Sequence, residues 1–217
     1  HLPDLIITNV NSSIDSVLLP TLSAAQDDQE AVKSMTRRSM QTSTYIMAPF
    51  MMGMAACAVP LIRLLYTEKW LPCVPYLVIF CVTSMFYPVH TANLNAIKAL
   101  GRSDLFLKLE IIKKIVGLIT IVITAPISVM AMGYSLLVTC VLGQIINSWP
   151  NKKLLNYSYL EQLKDILPGI LLAAFMCLCV YPVQWLGLSD IVTLLIQVPL
   201  GAVIFVGGSA LLKLEAF

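Results

Sequence analysis

Charged residues divide this chain into long neutral runs, and those runs constrain what it can fold into. Arg38 and Arg63 bracket 24 uncharged residues, Lys69 and Lys98 bracket 28, and Lys114 and Lys152 bracket 37. Asp165 and Asp190 bracket 24 more, and Asp190 and Lys213 bracket 22. A helix of about 20 apolar residues crosses a bilayer. The 24-, 28-, 24- and 22-residue runs therefore each hold one span. The 37-residue run contains Pro126 and Gly133, which can break it into a hairpin. Lys113 and Lys114 precede it and Lys152 and Lys153 follow it, so both ends favour the same side of a membrane. Two spans meet that condition, as would a re-entrant loop.

Composition agrees. Of 217 residues, 58% are hydrophobic and 12% charged, with a mean hydropathy of +0.83. Soluble domains carry about a quarter charged residues. A disordered chain, a nucleic-acid-binding domain and a small disulfide scaffold are excluded. Of the six cysteines, five lie inside apolar runs and Cys73 at the edge of one, so they read as small hydrophobes. Cys177-Leu-Cys179 lacks the spacing and companion ligands of a metal site. The chain begins His1-Leu2-Pro3, with no initiator Met and no cleavable signal peptide, and is expected to be a fragment.

The expected fold is all-α, a polytopic transmembrane bundle of about seven spans. These lie at about 4–22, 43–65, 73–97, 111–129, 132–149, 166–186 and 191–212. The first carries Asp4, Asn9, Asn11, Ser12, Ser13 and Asp15, which a lipid-facing helix would not tolerate. It reads either as a cavity-lining helix, with Asn9, Asn11 and Asp15 toward the cavity, or as a partly extramembrane segment. With seven spans, 12 of the 14 basic residues fall on one side, leaving only Arg63 and Lys69 on the other. The positive-inside rule puts the twelve in the cytoplasm, with the N-terminus outside and the C-terminus inside. Tyr66, Trp70, Trp149, Tyr157 and Trp185 fall near expected membrane boundaries, where such rings act as anchors.

No catalytic constellation, metal motif or cofactor motif appears, and no enzyme activity is expected. Asp27 and Asp28, beside Glu30, precede a helical stretch and read as capping charges. Polar residues inside spans carry more information. Asn93 and Asn95 sit in the third span, two residues apart and so on different sides of a helix. Such amides either join helices or line a wet cavity. Arg63 lies deep in apolar sequence, either snorkelling or meeting an anionic head group. Lys98, about one turn beyond Asn95, is its counterpart at the inner mouth. Arg63, Asn93, Asn95 and Lys98 are therefore the candidate substrate-path residues. Prolines recur within spans, at 20, 49, 60, 88, 168, 182 and 199, and each can kink its helix.

Three stretches carry a family resemblance. They are Ser16-Val-Leu-Leu-Pro20-Thr-Leu-Ser23 with Gln26-Asp27-Asp28, Pro60-Leu-Ile-Arg63-Leu-Leu-Tyr66-Thr-Glu-Lys-Trp70 with Pro75-Tyr76-Leu77, and Asn93-Leu-Asn95-Ala-Ile-Lys98-Ala-Leu-Gly101-Arg102-Ser103-Asp104 leading to Lys113-Lys114. Their order and spacing resemble the C-terminal half of polysaccharide or O-antigen flippases of the multidrug/oligosaccharidyl-lipid/polysaccharide superfamily. The resemblance implies a two-lobe transporter of about twice this length. Residues 1–150 would supply five helices of the C-terminal lobe. Residues 151–217 would supply a cytoplasmic loop and an appended helix pair. It also implies flipping of an undecaprenyl-pyrophosphate-linked oligosaccharide across the bacterial inner membrane by alternating access. The partners implied are that lipid-linked substrate, membrane lipid and an N-terminal lobe, with no nucleic acid. A drug/cation antiporter of the same superfamily, a non-transporting membrane subunit and a membrane-embedded enzyme on polyprenyl-linked sugars are the alternatives.

Overall fold

The computed structural model describes Thr8 and residues 16–212. Residues 16–24 are helical, here α1. The order continues α2 (Gln29–Ala56), α3 (Ala58–Tyr66), a 3-10 segment (Glu68–Cys73), α4 (Val74–Ser84), α5 (Tyr87–Ala99), α6 (Ser103–Thr124) and α7 (Val129–Leu154). After α8 (Tyr159–Val180) comes a second 3-10 segment (Tyr181–Leu186), then α9 (Asp190–Leu212). There is no strand among the described residues. The chain is an all-α helical bundle of a membrane protein.

Four helical stretches are long and apolar enough to cross a membrane: 68–99, α7, 159–186 and α9. The α2–α3 pair passes only if its two bent halves count as one span. This gives four or five such spans among the described residues, against about seven expected. Two differences account for the shortfall. Most of the expected span 4–22, including Asn9, Asn11 and Asp15, lies outside the described residues. And α6, although 22 residues long, carries Lys108, Glu110, Lys113 and Lys114, so only the stretch after Lys114 is free of charge.

Prolines break two of the expected helices. The span expected at 43–65 bends by 68° between α2 and α3. Pro60 has no N–H for the Ala56 carbonyl, and its ring crowds that carbonyl. The bonds on either side survive, from Cys57 N to Gly53 O (3.0 Å) and from Leu61 N to Cys57 O (3.0 Å). In the same way Pro88 leaves the Ser84 carbonyl without a helical donor, and α4 gives way to α5 at Met85–Phe86. By contrast, Pro49, Pro168 and Pro199 lie inside unbroken helices.

The hairpin expected between Lys114 and Lys152 forms. Its turn holds Pro126, and Ser128 caps α7 by accepting from Ala131 N at 3.0 Å. Gly133 is not part of that turn. It is buried inside α7, where a Cβ would touch Tyr76 and Ile79 at 3.4 Å. Its role is close packing of α7 on α4. Asp28 caps α2 as expected, accepting from Ala31 N at 3.0 Å.

Packing in lipid gains little from hiding apolar surface, because the lipid tails are themselves apolar; small residues and close contact matter more. Gly201 brings α9 against Met176 and Val180 of α8, and Gly208 meets Leu172 so closely that an added Cβ would clash. The largest interface in the bundle is α2 against α8. One core cluster joins α2, α4, α8 and α9 through Met47, Met51, Cys81, Met176 and Phe205. A second joins α1, α2, α5 and α8 through Leu22, Met40, Val89, Ala96 and Ile166. At the end of the bundle where α8 begins, Asp165 pairs with Arg37 of α2 and accepts from the Tyr157 hydroxyl at 2.7 Å. Tyr157 is buried, so it is a strut of this joint and not the boundary anchor expected. Burial and the neighbouring Asp165 carboxylate push its hydroxyl pKa up. Trp70, Trp149 and Trp185 are exposed, as anchoring rings require.

Pro60→Ala returns a donor to the Ala56 carbonyl and should reduce the 68° bend. Spin labels on Thr42→Cys and Tyr66→Cys in a cysteine-free background should then move apart by several ångströms. An unchanged label separation would mean that tertiary contacts, not the proline, hold the corner.

Candidate functional site

The polar residues of α5 and α7 face each other and divide into two neighbouring arrangements. The first is a closed amide clasp. Asn93 Nδ2 donates to Gln162 Oε1 at 2.8 Å, and Gln162 Nε2 donates back to Asn93 Oδ1 at 3.1 Å. Asn151 Nδ2 donates to the same Asn93 Oδ1 at 2.6 Å, and the Ser148 hydroxyl donates to Gln162 Oε1 at 2.8 Å. All four side chains are buried. The clasp thus ties α5, α7 and α8 at one depth. Interhelical hydrogen bonds in membranes average about 0.6 kcal/mol each, so its main effect is to fix register.

The second arrangement is a cleft between α5, α6 and α7 with a volume of about 370 Å³. Its wall includes Tyr87, His90 and Thr91 of α5, Glu110 and Lys113 of α6, and Thr139 of α7. His90 sits at the start of α5 because Pro88 ends α4 just before it. Asn147 Nδ2 donates to His90 Nδ1 at 3.0 Å, which leaves Nε2 as the ring's other polar atom. Gly143 makes room for the ring: a Cβ there would lie 3.1 Å from His90 Cε1. Lys113 donates to Glu110 one turn earlier on α6. Both are half-buried, although α6 presents Ile111, Ile112, Ile115, Leu118 and Ile119 outward. Charges in a membrane helix normally turn to the bundle interior or to water, and this pair does so. A second cleft, of about 560 Å³, adjoins the first and shares Tyr87, His90 and Thr139 with it.

The residues singled out from sequence are not brought together in one place. Asn93 is spent in the clasp. Asn95 is also buried, although the two amides start on different sides of α5, because helices surround α5 there. Arg63 is half-exposed at the end of α3, 3.7 Å from Asp190 of α9 and 4.0 Å from Glu68. Lys98 is exposed near the end of α5, with Nζ 4.5 Å from the Phe106 ring centroid. Sequence reasoning passed over His90, Glu110, Lys113, Asn147, Asn151 and Gln162. One signal was available: Gln144, Asn147, Ser148 and Asn151 recur at helical spacing along one face of an otherwise apolar run. No group of three or more potential metal-ligating side chains occurs among the described residues.

The clasp predicts a stability difference. Asn93→Ala strands the amides of Gln162 and Asn151 and should destabilise the bundle by about 1–3 kcal/mol. Gln144→Ala should cost less, since that amide reaches only Cys140 Sγ, at 3.6 Å. Thermal unfolding in detergent would show the order; equal midpoints would remove the clasp as a fastening.

Comparison with known proteins places the chain in context. Residues 1–75 match a family described as polysaccharide biosynthesis protein. That match contains the first of the three resemblance stretches, at 16–28, and the second as far as Pro75. A Klebsiella pneumoniae protein named "Uncharacterized membrane protein in cps region" is 27% identical over 109 residues. The aligned stretch is 50% of this chain and 22% of that protein, so the chain spans well under half of its relative's length. No solved structure matches. The chain is a polytopic helical membrane protein, and its similarity to proteins of polysaccharide biosynthesis agrees with the resemblance read from its motifs.

Proposed function

We propose that this chain is part of a transporter that moves an undecaprenyl-pyrophosphate-linked oligosaccharide from the cytoplasmic to the outer leaflet by alternating access. The observation that carries the reading is the α5–α6–α7 cleft. It holds an ion pair and a histidine within helices whose outer faces are apolar. A sugar head group crosses hydrocarbon only along a polar path, because a charge at the bilayer centre costs several kcal/mol. The similarity to a polysaccharide biosynthesis family supplies the chemical class of the cargo. In this reading the chain acts by transport, not catalysis, and works beside an N-terminal lobe.

Arg63 and Lys98 are the path cations in this reading, and Asn95 is a further candidate on α5. Asn93 contributes by holding the wall in place. The proposed orientation puts the α6 start and the α7–α8 loop in the cytoplasm and the α8–α9 loop outside.

Two measurements test this. Arg63→Gln and Lys98→Gln should each lower surface-polysaccharide export several-fold at normal protein level; unchanged export would remove these cations from the path. In cells, a membrane-impermeant maleimide should reach Ser189→Cys and not Ser103→Cys, in a Cys73→Ser background. The reverse labelling would invert the topology.

A further inference from the structure

We propose that the α5–α6–α7 cleft is a subsite for one sugar ring of the cargo, and not for its pyrophosphate. The inference rests on the lipid-linked oligosaccharide reading above and assigns part of that cargo to named residues. Three observations carry it.

The first is charge balance. The cleft presents one carboxylate, Glu110, and one ammonium, Lys113, already joined to each other. A pyrophosphate would gain Lys113 and be repelled by Glu110. A sugar ring offers hydroxyls that both donate and accept, so it can use both members of the pair at once. Glu110 accepts from a hydroxyl, while Lys113 and His90 Nε2–H donate to others. Thr139 adds acceptor capacity, because its own proton is already directed to Ser135 O (2.9 Å) and Leu136 O (3.1 Å).

The second is shape. About 370 Å³ falls within the range of small-molecule sites. Tyr87 is about half-exposed at the rim, and its ring meets His90 edge-on at a centroid distance of 6.4 Å. An exposed aromatic wall suits the apolar face of a pyranose. The adjoining 560 Å³ cleft extends the same surface, with room for a neighbouring ring.

The third is that the cleft is held open by features that do nothing for α6 as a membrane helix. Glu110 and Lys113 line the cleft beside residues of α5 and α7, where packing alone would be served by leucine. Gly143 admits the His90 ring, and Asn147 fixes the ring's orientation. Ionisable groups inside spans are expensive and are kept for polar contents.

Binding to the full chain in lipid nanodiscs tests the proposal. The probes are undecaprenyl pyrophosphate alone and the same lipid bearing one N-acetylhexosamine. The glycosylated lipid should bind at least tenfold tighter. Glu110→Gln should remove most of that advantage and leave the bare lipid unchanged. Gly143→Ala, which pushes on His90, should do the same and serves as the second variant if Glu110→Gln unfolds. Equal binding of the two lipids by the wild type would overturn the sugar subsite and leave the lipid-linked reading standing. Binding of neither lipid would overturn that reading, and the subsite with it. A loss shared equally by both lipids in folded Glu110→Gln would assign the cleft to the pyrophosphate and sink the proposal. So would unchanged binding of the glycosylated lipid by both variants.

Discussion

Inside a bilayer there is no water to complete the hydrogen bonds of a polar side chain, so each one must find a protein partner or a wet cavity. The reciprocal pair between Asn93 and Gln162 meets the same requirement in the buried interior at the end of the bundle where α8 begins. Each amide gives and receives, and Asn151 and Ser148 fill remaining positions. Helices that meet through apolar contact alone can slide past one another at little cost. A pair of amides that must face each other cannot. The relative height of α5, α7 and α8 is therefore set at this point, and with it the level at which His90 meets Asn147.

The cleft adds a second requirement. α4 and α5 are interrupted before Tyr87 yet stay within one spanning stretch, 68–99, and His90 near the start of α5 faces Gly143 and lines the cleft with the α6 ion pair. The cleft thus depends on a side chain that Gly143 lacks, which leaves space for the ring.

Much of the fold could be read from charge spacing. The hairpin around Pro126, the cap at Asp28 and the helical spans after Lys152 all follow from where charged and turn-forming residues fall. The α2–α3 corner did not, because a proline in a span can be absorbed, as at Pro49, or can bend it, as at Pro60; the outcome depends on neighbouring helices. The polar site was half legible. Asn93 stood out as an amide in an apolar run, yet its partner Gln162 lies 69 residues away, where a capping box and a charged stretch hide it among surface residues. Glu110 and Lys113 looked like part of a cytoplasmic basic region, because their inward direction depends on how far α6 continues into the bundle.

The bent α2–α3 pair has a mechanical consequence. The longer arm, α2, lies along α8, while the shorter arm, α3, is joined to α9 and linked to it through Arg63 and Asp190. The two far members are fastened to each other as well, since Gln197 Nε2 of α9 donates to the Val180 carbonyl at the end of α8 (3.2 Å). These attachments close a triangle around the corner. A triangle with all three sides fixed cannot change its angle without breaking a side. The corner is therefore a brace and not a hinge, and α2, α3, α8 and α9 form one frame to which the clasp also ties α5 and α7.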